Sequence, residues 1–186
     1  MNRDLIDAAI KSLRIQDVYL RDCSIVQKDD YDPKNPPYMQ AELIFLHRPT
    51  DTFVVNVPIE GQEHPLSLLK TYFETVFRVM PPRDAEEMQG VDMESFDATA
   101  AKALVDVRAK FTAEYVISNG PLSQDAINEF CKYNVGYHVW PYWRELAQSI
   151  GNRLRLPPII PPLYIVPQEA QPARSQKKEA ASITME

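Results

Sequence analysis

The sequence predicts an α+β protein, a four-stranded antiparallel β-sheet with helices on one side. Three observations carry that prediction. Strand-like segments come first along the chain and helix-like segments follow. Residues 103–117, ALVDVRAKFTAEYVI, place Ala103, Val105, Val107, Ala109, Phe111, Ala113, Tyr115 and Ile117 on one parity, with Asp106, Arg108, Lys110, Thr112 and Glu114 on the other. Such alternation describes one buried and one wetter face of an antiparallel sheet. Finally, the 16 prolines outnumber the 5 glycines and gather at 33–37, 81–82 and 157–172, which divides the chain into segments.

Each element follows in order. Residues 2–13 carry Leu5, Ile6, Ala9, Ile10 and Leu13 at helical spacing, with Asn2 or Asp4 as the cap. Residues 14–27 are rich in β-branched side chains but apolar on both parities, which fits a strand covered on both faces or one carrying a bulge. KDDYDPKNPP ends it as a loop. A second strand is expected at Tyr38–Leu46, then a turn at 47–52, then FVVNV (53–57) as a short strand or an extension. For 68–80, aromatic and β-branched content favours strand over helix. Residues 81–101 are polar and aperiodic and read as a mobile loop. After the strand at 103–117, SNGP is a turn, and Ser123 caps a short helix whose Ile127, Phe130 and Cys131 face inward. Gly136 interrupts that helix, and Pro141 suits the first turn of a new one. Val139, Trp143, Leu146, Ile150 and Leu154 form its apolar stripe, widened by Trp140 and Ala147. Prolines 157, 158, 161 and 162 force LPPIIPPLYIV to run extended. The division is then a domain over 1–167, with its loop at 81–101, and a disordered tail over 168–186.

Charge and composition exclude several function classes. The net charge of −6 disfavours a general nucleic-acid binder, which needs a basic footprint. No apolar run reaches the roughly 20 residues of a membrane span, and the N-terminal stretch does not read as a signal peptide. Cys23 and Cys131 lie far apart and build no disulfide framework, so a reducing, cytoplasmic location is expected. His47, His64 and His138 share no metal-ligand spacing, and no nucleophile elbow, phosphate loop or dinucleotide fingerprint occurs. No catalytic residue, metal or cofactor is therefore expected, and the protein is not expected to be an enzyme.

What remains is a surplus of apolar side chains. Trp140, Tyr142, Ile159, Ile160, Leu163 and Tyr164 exceed what four strands and one main helix require. They form an interaction surface, cover the far edge of the sheet, or bury themselves in self-association.

Two stretches resemble the SecB export-chaperone family. LRIQDVYLRDCSIV (13–26) is similar to the family's opening strand. WPYWRELAQSIGNRLRLPPIIPPLYI (140–165) is similar to its aromatic–Pro–Tyr–x–Arg–Glu helix start, Gly/Arg helix end and proline-rich apolar extension. The resemblance implies a homotetramer built from two dimers, and an ATP-independent holdase that binds non-native polypeptides in an apolar groove. It implies client contacts at Tyr137, Trp140, Tyr142, Leu156, Ile159, Ile160, Leu163 and Tyr164, and an oligomer interface including Ile15, Tyr19, Trp143 and Ile150. Asp22 matches one acidic position that contacts the motor ATPase SecA, but Val26 stands where a second acidic residue is usual. The tail carries Arg174, Lys177 and Lys178, unlike a motor-docking tail. The N-terminal helix and the loop at 81–101 are similar to additions in the SecB-like chaperones that guard an antitoxin. The alternative is a structural protein whose apolar surfaces serve only its own assembly.

Overall fold

The computed structural model describes residues 1–35, 41–81 and 93–164. Helix α1 (Arg3–Ser12) leads directly into β1 (Leu13–Gln27), and β2 (Glu42–Val57) and β3 (Leu66–Met80) follow. Next come α2 (Met93–Ala98), β4 (Val105–Ile117), α3 (Gln124–Tyr133) and α4 (Val135–Arg153). The strands form one antiparallel sheet in the order β1-β4-β3-β2, which leaves β1 and β2 as its edges. The expected four-stranded sheet is present.

Alternation in β4 sets the two faces. Val105, Val107, Ala109, Phe111, Ala113 and Tyr115 are all buried, and their register partners on β3 include Phe73, Phe77 and Val79. Helices α3 and α4 close this face with Ile127, Phe130, Cys131, Val139, Trp143, Ala147 and Ile150. Ser123 caps α3 by accepting from the Ala126 N–H, and Asn2 caps α1 by accepting from the Leu5 N–H. Each cap satisfies an N–H that the first helical turn leaves without a partner.

Strand β1 owes its mixed parity to bulges. Register shifts fall between Ile15 and Asp17 and between Leu20 and Asp22. Each inserts one residue, so Ile15, Val18, Leu20, Cys23 and Ile25 all sit opposite the helix-facing residues of β4. Of the two expectations for this strand, the bulge is correct. Double coverage is not: apart from Leu13 and Val18, most of β1 is exposed.

Other boundaries also differ from expectation. The turn expected at 47–52 is strand: β2 runs unbroken, with one irregularity between Pro49 and Thr52. An edge strand tolerates Pro49 because one side of its backbone pairs with nothing. Residues 38–40 of the expected second strand lie outside the described residues. The loop expected over 81–101 includes α2 and a 3-10 turn (Ala100–Lys102), while its residues 82–92 lie outside the described ones. Phe96 explains the order in this polar stretch. Its ring lies 3.9 Å from the guanidinium of Arg78, and its carbonyl accepts from Arg78 Nη1.

The Arg78 side chain is fully buried and also donates to Asp106, its register partner on β4. Both leave the sheet on the face opposite Phe77, so α2 lies there and the helices are not confined to one side. That face also carries the charge pairs Lys70 with Glu114 and Arg48 with Glu74.

Finally, Asn134, not Gly136, divides α3 from α4, and Pro141 lies inside α4 rather than in its first turn. Proline there has no N–H to return to the Tyr137 carbonyl, a cost that tertiary packing of α4 must offset.

Candidate peptide-binding surface

The residues expected to bind clients separate into two groups. Trp140, Leu156 and Ile159 are buried, and Tyr164 is partly buried. Tyr137, Tyr142, Ile160 and Leu163 are exposed. The division arises because the chain after α4 folds back onto it. Leu156, Ile159 and Pro161 turn inward, while Ile160 and Leu163, 70% and 75% exposed, turn out.

Two glycines of α4 make room for this return. A Cβ on Gly151 would lie 2.7 Å from Ile159 Cδ1, and one on Gly136 would collide with the Tyr164 ring. Gly136 is thus a seat for an aromatic ring, not the helix breaker expected from its sequence position. The Trp140 indole N–H donates to the Pro162 carbonyl at 2.8 Å. Trp140 is therefore a fixed strut within the chain and not the open groove wall expected of it. Leu156 and Ile159 are likewise anchors of the fold-back.

Beneath the segment lies an aromatic cluster. His47 of β2 has its ring centroid 4.9 Å from Trp140, 5.3 Å from Tyr164 and 5.9 Å from Phe73. Burial holds the His47 pKa below the usual imidazole value. His138 is lowered for the same reason, and its Nδ1 lies 2.9 Å from the Tyr115 hydroxyl, whose own pKa burial raises. Both imidazoles have aromatic neighbours and no carboxylate among their described partners, so neither is arranged as a general base.

The expected oligomer residues also separate. Trp143 and Ile150 are buried within the single chain and contribute nothing to an outer surface. Ile15 and Tyr19 are exposed on β1, and Asp22 lies on the same strand. Around them are residues the sequence reading did not select: Leu20, Ile25 and Val26 on β1, and Phe53, Val54 and Val57 on β2, all exposed. The apolar surface thus follows both open edges of the sheet. The mixed parity of β1 was the one signal that pointed to it.

No group of three or more potential metal ligands occurs among the described residues. Cys131 lies buried 3.2 Å from the Thr71 hydroxyl, and burial raises its pKa, which keeps the thiol protonated and unreactive. No helix among the described residues is long and apolar enough to cross a membrane.

The arrangement of sheet and helices defines a SecB-like fold. The structure is similar to that of the Mycobacterium tuberculosis Rv1957 SecB-like chaperone in complex with a ChAD peptide from the Rv1956 HigA1 antitoxin. The TM-score is 0.60 at 13% sequence identity, over 87% of this chain and 98% of that one. No protein-family model matches the chain, and no curated protein matches it in sequence.

Proposed function

We propose that this protein is an ATP-independent holdase of the SecB type, which keeps non-native polypeptides from aggregating. The carrying observation is the run of large exposed apolar side chains, Phe53, Val54 and Val57, along the edge strand β2, which stays open when the β1 edge is used for assembly. An extended client meets there both backbone groups awaiting partners and apolar area worth about 25 cal/mol per Å² buried, with no demand on sequence. Tyr137, Tyr142, Ile160 and Leu163 extend the surface beyond the sheet. The fold likeness to a chaperone described with an antitoxin peptide supports the same reading.

The protein works in the cytoplasm as a homotetramer of two dimers, and Ile15 and Tyr19 belong to an oligomer interface. Its client is an aggregation-prone antitoxin in preference to exported proteins, because Asp22 has no acidic companion at Val26 for SecA. Light scattering of a chemically unfolded model protein, without nucleotide, tests the holdase activity. Suppression at a stoichiometric ratio is expected; unchanged aggregation at excess refutes it.

A second reading rests on the exposure of β1. That edge could serve self-association alone, in a purely structural assembly. A dye that fluoresces on apolar surface separates the two, since a chaperone leaves area open after assembly and a closed particle does not.

A further inference from the structure

The chain between Leu156 and Tyr164, LPPIIPPLY, is held as a bound peptide would be. It has no helix or strand, and among the described residues its one backbone–backbone bond to a neighbour is at its start, from the Leu156 N–H to the Gly151 carbonyl. Four of its nine residues are proline. What fixes the rest is a set of side-chain seats. Ile159 fills the notch over Gly151, Tyr164 fills the one over Gly136, and Trp140 donates its indole N–H to the Pro162 carbonyl. Tyr164 completes the cluster with His47 and Trp140. Aromatic-lined grooves that grip extended, proline-bearing segments through ring contacts and one indole bond are a general mode of peptide recognition.

We propose that the groove between α4 and β2 is a peptide site for extended, proline-bearing apolar segments, and that residues 156–164 are its resident occupant, which clients displace. The inference rests on the holdase reading and specifies one of its sites and ligands. The occupant itself supplies the ligand chemistry: an aliphatic anchor, two prolines, and an aromatic anchor five residues after the first. Its Ile160 and Leu163, 70% and 75% exposed, gain little from being seated and so add little resistance to displacement.

The seat geometry also supplies the test. An ideal Cβ on Gly151 lies 3.5 Å from the Ile159 Cβ, within the range a disulfide spans. The double variant Gly151→Cys/Ile159→Cys, in a Cys23→Ser background, should therefore lock the segment when oxidised and free it when reduced. The probe is a fluorescent LPPIIPPLY peptide followed by anisotropy. We expect at least tenfold tighter peptide binding by the reduced form than by the oxidised form, with the bond confirmed by mass spectrometry. Equal binding in both states overturns the proposal, as does failure of the cysteines to join in a folded protein.

Should the double variant not fold, Tyr164→Ala serves instead. It loosens one anchor and should bind the peptide at least tenfold more tightly than the unmodified protein; no gain overturns the proposal. Light scattering with the unmodified protein keeps the two claims separate. Suppression of aggregation together with lock-insensitive peptide binding sinks the groove and leaves the holdase. Lock-sensitive binding without suppression does the reverse.

Discussion

At the scale of the residue, neighbouring aromatic side chains do opposite jobs. Trp140 is 5% exposed and bonded to Pro162, whereas Tyr142, two residues on, is 49% exposed. Trp140→Ser should destabilise the fold by about 3–5 kcal/mol, read as a lowered thermal midpoint by circular dichroism. Tyr142→Ser should leave stability within about 0.5 kcal/mol while weakening the suppression of aggregation. His47 gives a second residue-scale prediction. Burial lowers its pKa, so the folded state resists the proton that the unfolded chain accepts near pH 6.5. Its contribution is complete above that value and declines as the pH falls below it, because protonation then favours unfolding. Part of the loss of thermal midpoint between pH 7 and pH 5 should disappear in His47→Phe, which keeps the ring contacts and removes the titration.

Among elements, β1 is the most revealing. Its two bulges rotate five apolar side chains to the helix-facing side, yet Ile15, Leu20 and Ile25 stay about half exposed. An exposed apolar edge is a liability that proteins normally blunt with charge. Ile25→Lys introduces that charge at a position already exposed, so folding should be unaffected. The particle mass, measured by light scattering after size exclusion, should fall toward the 21.3 kDa of one chain. Unchanged mass would remove β1 from any interface. Helix α2 teaches a complementary lesson about local sequence. A stretch that looks like a polar loop becomes ordered around one ring, Phe96, because Arg78 presents a buried guanidinium for it to cover.

For the whole molecule, the sheet divides the labour between its faces. One face carries the core and the aromatic cluster; the other carries Arg78 under α2 and the pairs Lys70–Glu114 and Arg48–Glu74. Among the described residues, most large exposed apolar side chains lie on the edge strands and on the α4 side. Apolar-dye fluorescence with the purified protein should therefore be substantial, and an unfolded client at equal concentration should reduce it. If the client leaves the signal unchanged, the exposed edges are not where it binds.

How much of this was legible in the residues differs by feature. The alternation over 103–117, the Ser123 cap and the inward set Ile127, Phe130 and Cys131 were readable because each depends on geometry repeated within a few residues. The unbroken course of β2 through Pro49 was not, since a proline ends a strand or is tolerated in it according to whether the strand lies at an edge. Nor was the split among Trp140, Ile159, Ile160 and Leu163. The prolines showed that the chain after Leu156 runs extended. Only the folded structure decided that it turns back, that Gly136 and Gly151 leave room for it, and which side chains are covered. Period and capping are local properties of a backbone, whereas burial depends on what a distant part of the chain places opposite.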